Sequence, residues 1–342
     1  MEVVKQIVFP EENLSKFLET EKIDLENVPP KNVVVKTEIS TISNGTERAN
    51  ITGEKNVWGN SDYILPFPRT VGYSSAGTIV AVGEGVNSVK VGDRVVVYWG
   101  WHKNYNLVPA SNVVKIPDEV DFSSAAISFI STFSLGAIRK VQLEIGESCL
   151  VMGLGILGQC AVKYARIAGA YPIIAADPIK ERRLLALESG ADYVFDPTEE
   201  DFVEKVKSVA FGGVKTCIEV TGVGQGLNTA LDCMATFGRV ALLGCTRNKE
   251  FTVDYYKKVH SPGITLIGAH TNARPKFESY PHYFTSIDDI KVALNLIKSG
   301  RLNLSGLVQE KHQPKNCEGV YERLVNDRNF PVCVQFDWSG EK

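Results

Sequence analysis

The chain has 342 residues, a net charge of −3, 44% hydrophobic residues and 23% charged residues, a composition of ordinary globular type and a length that suits two cores better than one. That balance offers no bulk attraction for nucleic acid or for an acidic membrane surface. No apolar run approaches the about 18–20 residues needed to span a bilayer, and the N-terminal MEVVKQIVFPEENLSKF lacks a signal peptide's apolar core and small-residue cleavage site, so a cytoplasmic location is expected.

Residues 31–130 read as short strands punctuated by Gly, Pro and Asn, for example 32–36, 77–82 and 93–98, which is the pattern of antiparallel β structure. From about Ser134 the rhythm changes to apolar strands alternating with helical stretches, the pattern of βαβ units. A strand is expected at 148–152. A helix follows at 157–168, with Ala161, Tyr164, Ala165 and Ala168 on one face. Next come a strand at 172–176, a helix at 179–189 ending at Gly190, and strands at 192–195 and 216–220. A helix at 226–235 stops before Gly238, and strands at 239–243 and 265–268 complete the sheet. The helix 287–298 is closed by Gly300, and the strand 332–336 must pair elsewhere, back in the N-terminal part. The expected fold class is α/β: a doubly wound parallel sheet beside a β-rich domain. The division is 1–132, 133–270, and a return to the first domain over 271–342.

The seven cysteines are Cys149, Cys160, Cys217, Cys233, Cys245, Cys317 and Cys333. None shows C-x-x-C spacing and most lie in apolar segments, so buried free thiols are expected.

Gly153-Leu154-Gly155-Ile156-Leu157-Gly158 fits G-x-G-x-x-G between a strand and a helix, and a second strand ends on the acid Asp177. Gly153 makes the tight turn, Gly155 admits the pyrophosphate, and Gly158 lets helix and strand pack closely. The first helical residues, Ile156 and Leu157, offer N–H groups and the positive end of the helix dipole. Asp177 is expected to accept from the adenosine ribose and to repel a 2′-phosphate, which favours NAD over NADP. Thr221 is counted with the cofactor site. Arg182 and Arg183 read as a solvated helix face rather than a phosphate clamp.

These pieces resemble the medium-chain dehydrogenase/reductase superfamily, the zinc alcohol and polyol dehydrogenases and their relatives. The likeness covers nearly the whole chain. It runs through Ser43-Asn44-Gly45-Thr46-Glu47, Gly72-Tyr73-Ser74-Ser75-Ala76-Gly77, Val91-Gly92-Asp93-Arg94-Val95, the glycine fingerprint and the C-terminal segments. It implies a GroES-like catalytic domain and a Rossmann domain inserted late. Where zinc members carry C-G-T-D and G-H-E-x-x-G, this chain has Asn44, Tyr73 and Ser74 in place of the thiolate, imidazole and carboxylate. An amide, a phenol and a hydroxyl are poor zinc ligands, and the four-cysteine structural lobe is replaced by Trp99-Gly100-Trp101-His102 leading on to Val108. A zinc-lacking branch is therefore expected, closest in motif to the bacteriochlorophyllide dehydrogenases, with NAD as cofactor and no metal.

Without zinc, side chains must take the hydroxyl proton and stabilise charge on the oxygen. Thr46 matches the family's proton-relaying hydroxyl, and Tyr73 occupies a former ligand position. His102 and His270 are the candidate bases. Glu47 reads as support, bound to an arginine or a backbone N–H. Asn44, Trp99, Trp101, Asn272 and Arg274 suggest a polar, aromatic-walled pocket for a sugar, polyol, cyclitol or hydroxy acid, although Arg274 fits a structural ion pair equally well. The expected activity is oxidation of a secondary alcohol on a small-molecule substrate by a homo-oligomer, dimer or tetramer. Reduction of an activated C=C bond or quinone is the alternative. A non-catalytic dinucleotide-binding sensor is the alternative from another class.

Overall fold

The computed structural model describes residues 1–55, 57, 65–246, 248 and 250–341. The chain divides into two compact units, Met1–Phe129 with Ile290–Lys342, and Ile130–Asp289.

The first unit is built on β structure. One sheet runs in the order Val308–His312, Cys333–Asp337, Asn32–Thr41, Ser74–Val82, Arg94–Tyr98, Val113–Lys115, with Tyr105–Pro109 also paired to Asn32–Thr41. Period-two alternation explains it. Val33, Val35, Ile79, Val95 and Val97 enter one apolar cluster, while Val34, Ala81 and Tyr105 enter another with Val4. The C-terminal strand does return here, pairing antiparallel with Asn32–Thr41 at Gln335–Thr41 and Phe336–Ser40. A smaller sheet of Leu14–Ile23, Glu2–Glu11 and Arg69–Thr70 lies outside the elements read from sequence.

The second unit carries six parallel strands in the order Tyr193–Phe195, Ile173–Ala176, Cys149–Met152, Val214–Glu219, Met234–Leu242, Thr265–Gly268. The central strands are continuously apolar because both faces are covered: Leu150, Val151, Ile174 and Ile218 are all 0% exposed. This is the doubly wound sheet expected.

Three local expectations are corrected. The helix placed at 226–235 is Gly224–Asp232, and Met234–Leu242 is already strand. A 19-residue helix, Phe122–Lys140, precedes the sheet where none was read. The return to the first unit comes at Ile290, not 271. Segment 271–289 stays with the sheet because Arg274 donates to Thr132 O at 3.0 Å and to Asp289 Oδ2 at 3.3 Å, and Lys140 Nζ donates to Ala273 O at 2.6 Å. The cysteines are all free, as expected, and six of the seven are buried, with Cys245 exposed.

In the first unit, Glu310 is held by a two-pronged Arg323, each contact 2.9 Å, and by His312 Nε2 at 2.7 Å. Arg323's hydrogen bonds first, then His312's, bring the Glu310 carboxyl down to about 2. A lowered carboxyl contributes stability above its unfolded value of 4.5 and loses it as pH falls toward about 2. Glu310→Gln is expected to flatten the stability profile in that window and leave its shape near neutrality unchanged, as read by urea midpoints against pH.

Candidate functional site

The nucleotide-binding features lie at the carboxyl ends of the parallel strands. The chain leaves Cys149–Met152 through Gly153, whose φ is +93°, and enters the helix Ile156–Ala168 with Gly155 at its N-cap. A Cβ on Gly158 would lie 1.9 Å from Gly153 O, so only glycine lets the helix start this close to the turn. A Cβ on Gly155 would meet nothing within 4 Å, which leaves an open face. No side chain caps this helix and no acid sits in its first turn, so the N–H groups at Ile156 and Leu157 are placed to receive an anion. The residues present fit a pyrophosphate.

Asp177 ends the neighbouring strand. Its Oδ2 accepts from Leu154 N at 2.9 Å and its Oδ1 from Ile179 N at 2.8 Å, and its side chain is 5% exposed. The acid thus folds the glycine loop. The expectation of a solvated Arg182 and Arg183 is corrected. Arg182 lies 3.7 Å from Asp177 Oδ2, and Arg183 pairs with Asp196 at 3.0 Å. Thr221 packs against Gly153, and its N–H and hydroxyl both turn inward to the buried Glu219. Burial pushes the Glu219 carboxyl up. Glu219 was not singled out in the sequence, because an acid at the end of an apolar strand carries no local signal of its partners.

His270 and Asn272 are exposed beyond the last strand, Thr265–Gly268. The Asn272 N–H donates to His270 Nδ1 at 3.2 Å. Partial desolvation, then the Lys140 ammonium, hold His270 below the usual imidazole range. The exposed imidazole thus has Nδ1 engaged within its own turn. Arg274 as a pocket residue is also corrected: it is fixed between Thr132 O and Asp289.

The candidate substrate residues in the first unit gather at one end of its sheet. Asn44, Thr46 and Glu47 lie on the helix Asn44–Ile51. Tyr73 Oη donates to Ser43 Oγ at 2.6 Å. Its ring sits 5.5 Å from Trp99 and 5.8 Å from Phe129, and Trp99 is 42% exposed. An aromatic wall therefore exists, with Tyr73 as its polar member. Trp101 is 40% exposed, and its backbone N–H is held by Asn106. Thr46 is half-buried, and its carbonyl receives Asn50 Nδ2 at 2.9 Å.

His102 is not part of that wall. Its side chain is 0% exposed, with Nδ1 2.6 Å from Ser40 Oγ and Nε2 3.2 Å from Glu47 Oε2. Glu47 also accepts from Ser43 N at 2.9 Å and Tyr321 Oη at 2.6 Å. A buried carboxylate with three donors is a structural anchor. A histidine sealed inside it cannot meet a substrate, so His102 as catalytic base is corrected. Glu47 does bind a backbone N–H, as expected of support. Ser43 was missed, although its position before the helix and beside Tyr73 makes it the acceptor for the phenol.

Zinc-type relatives bring a metal into question, and the donor set can be tested. Asn44 Nδ2 donates to Pro331 O at 2.8 Å, Tyr73 Oη to Ser43 Oγ, and Ser74 Oγ to Ala126 O at 2.7 Å. The Tyr73 and Ser74 hydroxyls are committed to protein partners, while Asn44 Oδ1 is buried with no hydrogen-bond partner, and none of the three is a thiolate, imidazole or carboxylate. Among the described residues no group of three or more His, Cys, Asp or Glu is drawn together. This donor set does not fit zinc.

Residues 29–118 match the family described as alcohol dehydrogenase GroES-like domain, and residues 157–286 match that described as zinc-binding dehydrogenase. L-threonine 3-dehydrogenase of Thermococcus kodakarensis is 31% identical over 332 residues, covering 85% of this chain and 87% of the relative. Sorbitol dehydrogenase of Bacillus subtilis is 26% identical over 302 residues, covering 78% and 80%. The crystal structure of 2R,3R-butanediol dehydrogenase from Bacillus subtilis has a TM-score of 0.81 at 22% identity, over 98% of this chain and 99% of that one. The chain belongs to the medium-chain dehydrogenase/reductase superfamily and is an oxidoreductase of its zinc-type alcohol and polyol dehydrogenase group. Among the described residues no helix is long and apolar enough to cross a membrane.

Proposed function

We propose that this protein is a zinc-independent, NAD-dependent dehydrogenase that oxidises a secondary alcohol on a polar substrate such as a sugar, polyol, cyclitol or hydroxy acid. The observation that carries the reading is the replacement of the metal-ligand positions by Asn44, Tyr73 and Ser74, an amide, a phenol and a hydroxyl, the last two hydrogen-bonded within the protein. The relatives' names, threonine, sorbitol and butanediol dehydrogenases, support oxidation of a hydroxyl-bearing carbon in a polar molecule.

The nicotinamide, when bound, accepts the hydride. This chain's residues do the rest. Gly153, Gly155 and Gly158 admit the pyrophosphate to the helix N-terminus. Tyr73 Oη, hydrogen-bonded to Ser43 Oγ at 2.6 Å, is the polar group of the wall that the substrate hydroxyl meets. The substrate's hydroxyl proton leaves through Thr46, on the helix Asn44–Ile51, whose hydroxyl accepts it while passing its own proton on to solvent water. Trp99, backed by the buried Phe129, supplies the apolar face that binds a ring or carbon chain. A homo-oligomer is part of this reading, since Thr265–Gly268 ends the parallel sheet with Leu266 39% exposed.

NAD preference rests on Asp177. Asp177→Ala is expected to weaken NADH binding about 10²-fold, because a ribose acceptor and an anchor of the glycine loop both go. NADPH loses less, since the charge facing a 2′-phosphate is removed and Arg182 remains. Calorimetric titration of both cofactors decides it, and equal losses would leave Asp177 a structural role only. The wider reading is tested by screening L-threonine, sorbitol, 2R,3R-butanediol, cyclitols and hydroxy acids with NAD and NADP, following absorbance of the reduced cofactor. Turnover of enones or quinones with no alcohol oxidised would overturn it.

A further inference from the structure

The glycine turn, Asp177 and Thr221 all lie at the carboxyl ends of the parallel strands. At the opposite ends, Ser148, Pro172 and Gly213 each stand just before a strand, Cys149–Met152, Ile173–Ala176 and Val214–Glu219. Here the second unit opens into a groove of about 600 Å³. That size falls within the roughly 300–1,000 Å³ of sites that hold small molecules. Ser148 is separated from Gly153 by about 16 Å of extended chain, at about 3.3 Å per residue, so the groove is distinct from the dinucleotide features.

The lining is biased in charge. Lys207 and Lys215 line the groove and no Asp or Glu does, although the chain as a whole carries a net charge of −3. Lys207 lies in the last turn of the helix Phe202–Val209 and forms no ion pair among the described residues. Lys215 Nζ is held by Thr236 O at 3.3 Å, a neutral acceptor that leaves the ammonium charge uncompensated. Ser148, 7% exposed, accepts the Lys215 N–H on its Oγ at 3.0 Å, so its own hydroxyl proton remains for a further acceptor. Two ammoniums and a hydroxyl donor with no competing carboxylate form a set that recognises an anion.

Two aromatic rings line the same groove. Tyr171 is 56% exposed and Phe211 is 90% exposed. Phe211 follows the helix Phe202–Val209 at the position where the chain turns left-handed, with φ +52°, ahead of Gly212 at +103° and Gly213 at +148°. The turn is closed by Gly212 N–H donating to Lys207 O at 2.8 Å and Gly213 N–H donating to Ala210 O at 3.2 Å. Glycine or asparagine suits that helix-ending position, and a bulky side chain there is strained. A ring so exposed adds nothing to the core either. A phenylalanine that neither the turn nor the core calls for is placed to cover a planar ligand.

We propose that this groove is a second small-molecule site, which binds a planar aromatic anion: a ring carrying a carboxylate or a phosphate. Lys207, Lys215 and the Ser148 hydroxyl meet the charged group, and Tyr171 and Phe211 meet the ring. The site lies wholly within the second unit and stands whether or not the dinucleotide reading does.

The test is calorimetric titration of the full chain with 1-naphthyl phosphate and with 1-naphthoate, each alone and with saturating NADH. At least one is expected to bind with a Kd below about 0.5 mM, unchanged within about twofold by NADH. The tighter of the two identifies the acid group, and either order supports the proposal. 1-Naphthalenemethanol, which lacks the charge, and inorganic phosphate, which lacks the ring, are each expected to bind at least about tenfold more weakly. Lys207→Gln combined with Lys215→Gln is expected to weaken the better probe about tenfold or more. Phe211→Gly is expected to weaken it about three- to fivefold, with a thermal midpoint equal to or above that of wild type because the left-handed turn is relieved. Thermal unfolding reports that the lysine variant is folded. No binding of either probe up to about 5 mM, displacement by NADH, equal binding of the neutral alcohol, or unchanged affinity in either variant would each overturn the proposal.

Discussion

Gly158→Val is expected to abolish measurable NADH binding while leaving the protein folded. A Cβ at this position would sit 1.9 Å from Gly153 O and 2.9 Å from Gly153 C, both backbone atoms of the turn that faces the pyrophosphate. No rotamer relieves a clash between backbone and Cβ, so the helix must move away from the strand or the turn must open. Either change carries the Ile156 and Leu157 N–H groups off the phosphates. A loss of about 10³-fold or more in affinity is expected, since several charge-assisted hydrogen bonds to one ligand are lost together. Gly155→Ala is the contrast, because nothing lies within 4 Å of its added Cβ. It should keep the fold and lose affinity only by crowding the ligand. Calorimetry for binding and circular dichroism for folding separate the two effects. If Gly158→Val bound NADH within tenfold of wild type, the assignment of the glycine turn would be wrong.

The second large effect concerns Tyr73. Tyr73→Phe is expected to lower kcat and kcat/KM together by about 10²- to 10³-fold on the best alcohol found by screening, with NADH affinity unchanged. The phenyl ring keeps its contacts with Trp99 and Phe129, so the wall survives and only the polar group is lost. Ser43→Ala should fall between wild type and Tyr73→Phe, because the phenol keeps its oxygen but loses the partner 2.6 Å away that fixes its proton. Ser43→Thr should restore most of the rate. A rise in KM with kcat unchanged would mean that Tyr73 is wall and nothing more. His102→Gln gives a different pattern, because His102 lies in the buried network with Glu47 and Ser40. It should lower stability more than chemistry.

The parts of the fold legible in the sequence were those encoded by neighbouring residues. The glycine turn, the strand before it, the helix after it and the acid at 177 form one contiguous unit, and each position has a local physical reason. The β-rich character of the first unit followed from alternation, and the strand at 332–336 was recognised as needing a distant partner because the parallel sheet offered it none. The helix Phe122–Lys140 was not legible for the opposite reason. Its run of Ser123, Ser124, Ser128, Ser131, Thr132 and Ser134 weakens helix propensity. Tertiary contacts override this: Ser128 Oγ donates to Ala125 O, Ser131 meets Tyr164 Oη at 2.8 Å, and Ser134 donates to Leu157 O at 2.6 Å.

The site divided along the same line. Residue types at positions 44, 73 and 74 could be read directly and argued against zinc as a matter of donor chemistry. Which histidine could work was not legible, because His102 and His270 are both polar residues in loop-like sequence. Their difference lies in long-range partners: Glu47 lies 55 positions before His102, and Lys140 is 130 positions before His270. Ser43, Glu219 and Lys140 were overlooked for that reason. Each is ordinary in sequence and acquires its task only when the fold brings its partner within hydrogen-bonding distance.

The central claim, hydride chemistry without a metal, is tested most directly by metal analysis of the purified protein, produced with zinc in the medium, together with activity before and after dialysis against a chelator. The account predicts well below about 0.1 zinc per chain, unchanged alcohol oxidation after chelation and no stimulation when zinc is restored. About one tightly held zinc per chain, with activity lost on its removal and regained on its return, would contradict it.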